Sequence, residues 1–513
     1  MSLWALENLQ IFINIFHKKK LLLTFLAICP SIIYAQRYGC NWIGGFDSWA
    51  GYPWGNTVLN FTDTSVNVLN HPTDMNFFRS CSIISDSAGT ILFYTNGVYI
   101  ADASDDTMQN GSGLNPSTYT SSLFEDGLGL PQGNLIIPGD SAANEYYLFH
   151  VTLDDIQGSA GQPINFYRST IDISQNGGLG SVINKNEIIF SDTLIAGEIT
   201  AVKHANGRDW WLIMQRSNSN EYILLLKTPY QILGPFRQSI GGNIIFGSSG
   251  QAVFSPDGSR YAHGNAELGG VDVFDFDRCT GLFSNFIHIV NNDTSAIGVA
   301  FSKSGQYLYV ISFIKIYQYD VTVANIPASE IVVATFDGFA DPGPPFYTTF
   351  YLGALAPDGK IYVNTSNGTK FFHVIEDPDS LGVNCHVSQH GLELAGYNVF
   401  SLPSVLNYNL GPLTGSNCDS LTLFTNEITF DATAIIYPNP SNGKIIFLKC
   451  DSPFAHKGKL EIFNVYGINV CDLLIGQTNP VQEIFLPDLT NGIYNARILF
   501  NNDIENIKFI VQK

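Results

Sequence analysis

Phe254-Ser-Pro-Asp-Gly-Ser-Arg-Tyr-Ala262 decides the reading of this chain, because the phrase returns as Phe301-Ser-Lys-Ser-Gly-Gln-Tyr-Leu-Tyr-Val310 and again as Leu355-Ala-Pro-Asp-Gly-Lys-Ile-Tyr-Val363. Each copy is an apolar residue, a short turn ending in Asp-Gly or Ser-Gly, and a strand in which apolar and polar residues alternate. Glycine accepts the positive φ of a tight hairpin, and the alternation buries one face of the strand that follows. Looser copies begin at Ser85, Asp140 and His204. The turn residues Gly89, Asn144, Gly207, Gly258, Gly305 and Gly359 stand 55, 63, 51, 47 and 54 residues apart.

A period of about 50 residues holds one supersecondary unit that cannot bury its own core, and four strands with their loops fill that length. The expected architecture is all-β: a β-propeller over residues 36–412. Six copies of the phrase are visible. A seventh blade is expected from an N-terminal strand pairing with a C-terminal one, with residues 58–61 and 404–408 as the candidates. The competing architecture, a stack of β-sandwiches, would repeat at about 90–100 residues.

Composition agrees with an exported β-protein. Only 14% of the 513 residues are charged, so the surface must draw its polarity from Asn, Ser, Thr and Gly. The net charge is −20, which excludes a nucleic-acid partner, since that needs a basic footprint. No cofactor is implied; calcium held by an Asp-rich loop is the one metal reading the acidity leaves open.

Lys18-Lys19-Lys20 followed by the apolar run 21–28 and by Ser31-Ile-Ile-Tyr-Ala35 reads as a signal peptide, with cleavage between Ala35 and Gln36. Residues 1–16 precede it as an extension, with a longer uncleaved anchor as the alternative. The mature chain then has no integral membrane span. Seven of the eight Cys lie beyond residue 35, at 40, 81, 279, 385, 418, 450 and 471. An oxidising compartment permits disulfides, and an odd count leaves at least one thiol without a partner in the chain.

Residues 413–432 read as a linker and 433–513 as a separate compact β-sandwich of six or seven short strands. This tail carries Tyr437-Pro438-Asn439-Pro440 with Gly443, then Ile462-Phe-Asn-Val-Tyr-Gly467, then Leu489-Thr-Asn-Gly492-Ile-Tyr494, and ends in Lys508-Phe-Ile-Val-Gln-Lys513. It resembles the C-terminal type IX secretion sorting domain of Bacteroidetes exported proteins. The resemblance implies the type IX machinery as partner, passage through the periplasm, removal of the tail, and a secreted or outer cell-surface location. Cys450 and Cys471 depart from the family pattern, and a local disulfide between them is a candidate. The large domain is similar to propeller-like regions of gliding-bacterium surface proteins, which bring no activity with them.

The large domain shows no G-x-S-x-G, no H-E-x-x-H and no P-loop. Asp275-Phe-Asp277-Arg-Cys-Thr-Gly281 begins like a calcium loop but lacks the closing carboxylate, so a β-turn is the simpler reading. His386 and His390 are four apart outside any helical pattern. His204 and Asp209 are candidate ligand contacts at a propeller mouth, or else a hairpin bonded to its own backbone. Trp42, Trp49, Tyr52 and Trp54 sit among Gly, Asp and Pro; they would stack on sugars or anchor a protein, or else close the first blade. The expected function is a binding or adhesion protein that uses the propeller to hold a glycan or protein. A propeller hydrolase or lyase acting on a polysaccharide, lactone or ester is the alternative. It would need carboxylates and His gathered at the channel.

Overall fold

The hairpin phrases adopt the turn their glycines allow. In the computed structural model, which describes residues 36–139, 144–156, 159–244, 250–266, 269–290, 297–342, 345–416, 418–419, 434–450, 458–465, 468–475, 481–500 and 503–513, Gly258, Gly305 and Gly359 have φ of 74°, 75° and 84°. Their N–H groups donate to the carbonyls of Ser255, Ser302 and Ala356 at 2.8, 2.9 and 2.9 Å. Gly89 and Gly207 repeat the geometry, and Asn144 takes φ 52° where no glycine is present. Each turn joins the first two strands of one sheet.

The chain divides near residue 421 into two compact units. Among the described residues of the larger one, seven sheets of three or four antiparallel strands follow one another along the chain. The first is Asn41–Phe46, Gly55–Phe61 and Val66–Asn70, and the second Ser82–Ser85, Ile91–Thr95 and Ile100–Asp102. The third is Asn134–Pro138, Glu145–His150, Asn165–Asp172 and Ser181–Ser191; the fourth is Thr200–Lys203, Trp210–Gln215, Ser219–Lys227 and Ile232–Ile244. The fifth is Gly250–Phe254, Arg260–Asn265, Gly270–Asp277 and Leu282–Val290, and the sixth Gly298–Phe301, Tyr307–Ile311, Lys315–Asp320 and Ile331–Thr335. The seventh is Phe350–Leu355, Ile361–Thr365, Thr369–Ile375 and Val387–Asn398.

Successive sheets bury their apolar faces against each other. Ile43, Val58 and Tyr94 fill the space between the first and second sheets. Trp211, Tyr222, Tyr261 and Phe274 join the fourth and fifth. Ile311, Phe350 and Ile361 join the sixth and seventh. Trp42, Phe61, Tyr362 and Phe372 close the ring between the seventh sheet and the first. This is a β-propeller.

Ring closure differs from the expected strand pairing. Residues 58–61 pair inside their own sheet, with Asn41–Phe46 and Val66–Asn70. Residues 404–408 form no strand. They cross the ring as an extended strap: the Ser404 N–H donates to the Cys81 carbonyl at 3.0 Å, and the Tyr408 hydroxyl donates to Ile136 O at 2.9 Å. The residues needed for pairing are used inside the first sheet, and Pro403 removes a donor at the start of the strap.

The strap ends in a clamp. Arg278, only 3% exposed, donates to four backbone carbonyls: Lys203 at 2.8 Å, Asp257 at 3.2 Å, His204 at 3.2 Å and Gly411 at 2.6 Å. Beside it Cys279 forms a disulfide with Cys418 across 139 residues of chain. Leu413 and Cys418, placed by the sequence in the linker, are thus held on the large unit.

The smaller unit stacks a sheet of Ala434–Tyr437, Ile445–Cys450 and Val481–Phe485 on one of Asn469–Ile475, Gly458–Asn464, Gly492–Phe500 and Asp503–Val511. Ile446, Leu460, Ile462, Tyr494, Ile498 and Phe509 fill the space between them. The expected disulfide between Cys450 and Cys471 is not formed: the two stand on different sheets, and Cys471 is a free thiol. The signal segment with Ala35, most of the expected linker, and Gly467 lie outside the described residues. Among the described residues no helix is long and apolar enough to cross a membrane.

Arg278→Ala should destabilise the propeller by about 3 kcal/mol or more, because four partly buried carbonyls lose their shared donor and a buried side chain leaves a cavity. Cys418→Ala should cost about 2–4 kcal/mol, in line with the long loop the disulfide closes. Denaturant melts of both variants, with and without reductant, check this; reductant should leave Cys418→Ala unchanged. Burial pushes His150 down to about 3 and His373 down to about 4. Both imidazoles stay neutral in the fold while the unfolded chain takes up protons below about 6.5, so their contribution is whole above that pH and is lost as pH falls toward the folded values. His373→Asn should flatten the fall in melting temperature between about pH 6.5 and pH 4, measured by calorimetry.

Candidate functional site

The propeller's innermost strands leave their outer edges paired and their inner edges facing the channel, so unpaired backbone groups line it. Two glutamines satisfy part of that edge. Gln132, at φ 48°, reaches from the third sheet to the fifth, where its carboxamide accepts from Ala252 N at 2.7 Å and donates to Ala252 O at 2.9 Å. Gln251 reaches from the fifth sheet to the seventh. It donates to Gly353 O at 2.7 Å and accepts from the N–H of Val299 at 3.0 Å in the sixth. A carboxamide carries the same donor and acceptor as a peptide, so each glutamine stands in for a strand residue.

Beyond these glutamines the channel widens into a cavity of about 470 Å³ at the end that carries the Gly359 turn. Its walls are inner-strand backbone, the aromatic rings of Phe61, Phe254, Phe301 and Tyr408, and the strap from Pro403 to Leu410. Arg37, Asp63 and Lys303 bring charge to the lining, and Ser255, Asn407 and Asn409 bring neutral donors and acceptors. One guanidinium nitrogen of Arg37 donates to Phe61 O at 2.8 Å. Among the described residues the cavity lining includes no His and no second carboxylate.

The sequence candidates go elsewhere. Trp42 is a core residue, 3% exposed and packed on Phe61 at 4.8 Å and on Tyr362 at 6.0 Å. Trp54 is half-buried against Tyr397 at 4.9 Å. Trp49 and Tyr52 are 77% and 79% exposed, and the Lys370 ammonium lies 5.4 Å from the Tyr52 ring centre. His204 and Asp209 share one hairpin and use their polar atoms within it and on the neighbouring turn. The Asn206 N–H donates to His204 Nδ1 at 3.1 Å, His204 Nε2 donates to Cys279 O at 3.0 Å, and Asp209 accepts from Arg208 at 2.7 Å and from Asn206 at 2.8 Å. Asp277 likewise spends its carboxylate on its own turn, accepting from Cys279 N and the Thr280 hydroxyl, both at 2.8 Å.

Sequence reasoning missed Gln132, Gln251 and the strap. No motif marks them; the only local signal is the turn chemistry of Pro131-Gln132-Gly133. It also missed a buried pair, Glu198 with His263, to which Asn265 donates at 2.9 Å. Neither lines the cavity. Among the described residues no group of three or more His, Cys, Asp or Glu is placed to hold a metal ion.

In the sandwich the motif residues converge. The Tyr437-Pro-Asn-Pro turn lies on the final strand: Asn439 accepts from Ile510 N at 2.8 Å, and Ser441 N donates to Ile510 O at 2.7 Å. Tyr437 stacks on Phe447 with ring centres 5.5 Å apart. A Cβ on Gly443 would meet Leu489 O at 2.5 Å, so the backbone of the third motif passes where only glycine fits. The Tyr494 hydroxyl donates to Thr490 O at 3.0 Å.

No curated protein is similar to the chain. Solved structures match it weakly. A protein from Lactobacillus plantarum is 13% identical with TM-score 0.42, over 71% of this chain and 98% of that one. A proposed 6-phosphogluconolactonase from Bacteroides uniformis is 14% identical with TM-score 0.36, over 87% and 98%. Another from Bacteroides fragilis is 12% identical with TM-score 0.39, over 71% and 96%. At these scores the likenesses carry no argument about the chemistry. Residues 435–512 match the model of the secretion system C-terminal sorting domain. The tail is therefore a sorting domain of that family, and it sends the protein through the type IX secretion system to the cell surface or outside the cell.

Proposed function

We propose that the propeller is an extracellular binding scaffold, and that a glycan or protein segment enters the central cavity. The observation that carries this reading is the cavity itself: about 470 Å³, in the range of ligand sites, with aromatic walls and a few neutral polar groups. Its seven sheets are taken as seven blades. Trp49 and Tyr52 are a further contact surface in this reading, since large exposed aromatics on a short loop suit stacking on sugars. The hydrolase or lyase reading would need His and carboxylates gathered at that cavity, and the buried Glu198–His263 pair, bonded to each other, is not part of its lining.

Glycan and protein arrays probed with the intact protein test the proposal. Asn409→Trp, at an exposed position of the cavity lining, should abolish binding and leave the melting temperature within about 1–2 °C of the parent. Steady turnover of a glycan or ester on the same preparation, lost in Glu198→Gln, would replace the binding reading with the enzymatic one. Removing residues 435–513 should trap the propeller in the periplasm, because the sandwich has its own core and carries the export signal. Cell fractionation checks this, and normal surface or medium levels of the truncated protein would contradict it.

A further inference from the structure

A row of three residues crosses the fourth sheet. Lys203 stands directly opposite Trp210, and Trp210 directly opposite Lys227, so the three side chains share one face. The row ends at a second cavity of about 230 Å³, lined also by Arg208, Tyr38 and Tyr408. Both ammonium groups lie over aromatic rings: Lys203 Nζ is 5.5 Å from the Trp210 ring centre, and Lys227 Nζ is 4.5 Å from that of Tyr147. Lys227 is only 6% exposed. The Lys203 ammonium is half-buried and meets no carboxylate and no hydrogen-bond acceptor among the described residues. The nearest carboxylate partner in the turn, Asp209, is taken by Arg208.

The Lys203 ammonium is costly to hold here without an anion. A cation held away from water needs a partner, and an aromatic face supplies only part of what water gave. Burial and the nearby Arg278 both lower the Lys203 pKa, a sign that positive charge is crowded here. That crowding occurs in a chain whose net charge is −20. The cavity shares Gln36 and Tyr408 with the central one, so a ligand can extend from one into the other.

We propose that this second cavity holds the acid group of an anionic polysaccharide, a carboxylate or sulfate carried on a sugar whose chain continues into the central cavity. The inference rests on the scaffold reading above and adds the ligand class. A cavity of this size takes one acid group on a narrow chain and excludes a folded protein surface.

Isothermal titration of the intact protein with oligogalacturonate, dextran sulfate, neutral dextran and poly-glutamate tests it. At least one anionic saccharide should bind, the neutral one should not, and binding should weaken as salt rises. Carboxylate and sulfate arms identify which acid is taken. Lys203→Gln should weaken binding about tenfold or more, and Lys203→Arg should keep most of it, which separates loss of charge from loss of fold. Unchanged binding in Lys203→Gln overturns the proposal, as does poly-glutamate binding with the same dependence on Lys203. If only neutral glycans or proteins bind on the arrays, the anion pocket fails and the scaffold stands. If nothing binds in either experiment, both fail.

Discussion

One guanidinium holds the propeller closed. Arg278 gathers carbonyls from the end of the fourth sheet's inner strand, from the Asp257 turn of the fifth sheet, and from Gly411 at the end of the strap. A ring of sheets has a weak point where the chain's two ends meet, because the last sheet must pack on the first without a covalent neighbour. Here the apolar contact of Trp42 and Phe61 with Tyr362 supplies the area, while Arg278 and the Cys279–Cys418 disulfide fix the strap that runs beneath. Lysine could not replace the arginine, since its one ammonium cannot reach carbonyls in several directions from one plane. The disulfide suits export, because a bridge across 139 residues persists only in an oxidising compartment.

The same closure shapes the cavity. The strap covers part of the channel's inner edges with its own backbone and with Tyr408, and Gln132 and Gln251 cover others with carboxamides. What remains is a bounded cavity rather than an open pore. Its polarity comes from backbone, hydroxyl and amide groups together with the charges of Arg37, Asp63 and Lys303. The position of Gln132 at φ 48° is a strain of about 1–3 kcal/mol, kept because the side chain must cross the channel to reach Ala252.

The repeat and the sandwich were legible because their constraints are local. A hairpin glycine at positive φ must be followed by a strand, and the six turn residues found in the sequence all head equivalent hairpins. Gly443 was legible for the same reason, as the end of the Pro/Gly turn that begins at Tyr437, where its φ is 72°. Closure was not legible. It depends on contacts between residues hundreds of positions apart, and residues 404–408 have the Val, Leu and Tyr of a strand without becoming one. Trp42 takes the second of its two readings and closes the ring; Gly44 and Gly45 beside it resemble a loop, but in the fold they let other chain segments approach, and a Cβ on Gly44 would meet Ser401 Oγ at 2.7 Å.

The Lys203–Trp210–Lys227 row shows where sequence reading stops for a site of this kind. Its members are 7 and 17 residues apart, a spacing that means nothing until strand register makes them neighbours. Composition even points the other way, since an excess of acidic residues argues against anionic ligands on average charge alone. Average charge governs approach from a distance, and it is screened beyond about 8–10 Å at physiological salt. Inside that distance the local arrangement decides: two ammonium groups on aromatic faces, with the neighbouring carboxylate Asp209 engaged by Arg208, make a positive site on a negative protein. If that site takes an acid group as proposed, repulsion at long range with attraction at one fixed place favours selective over general binding.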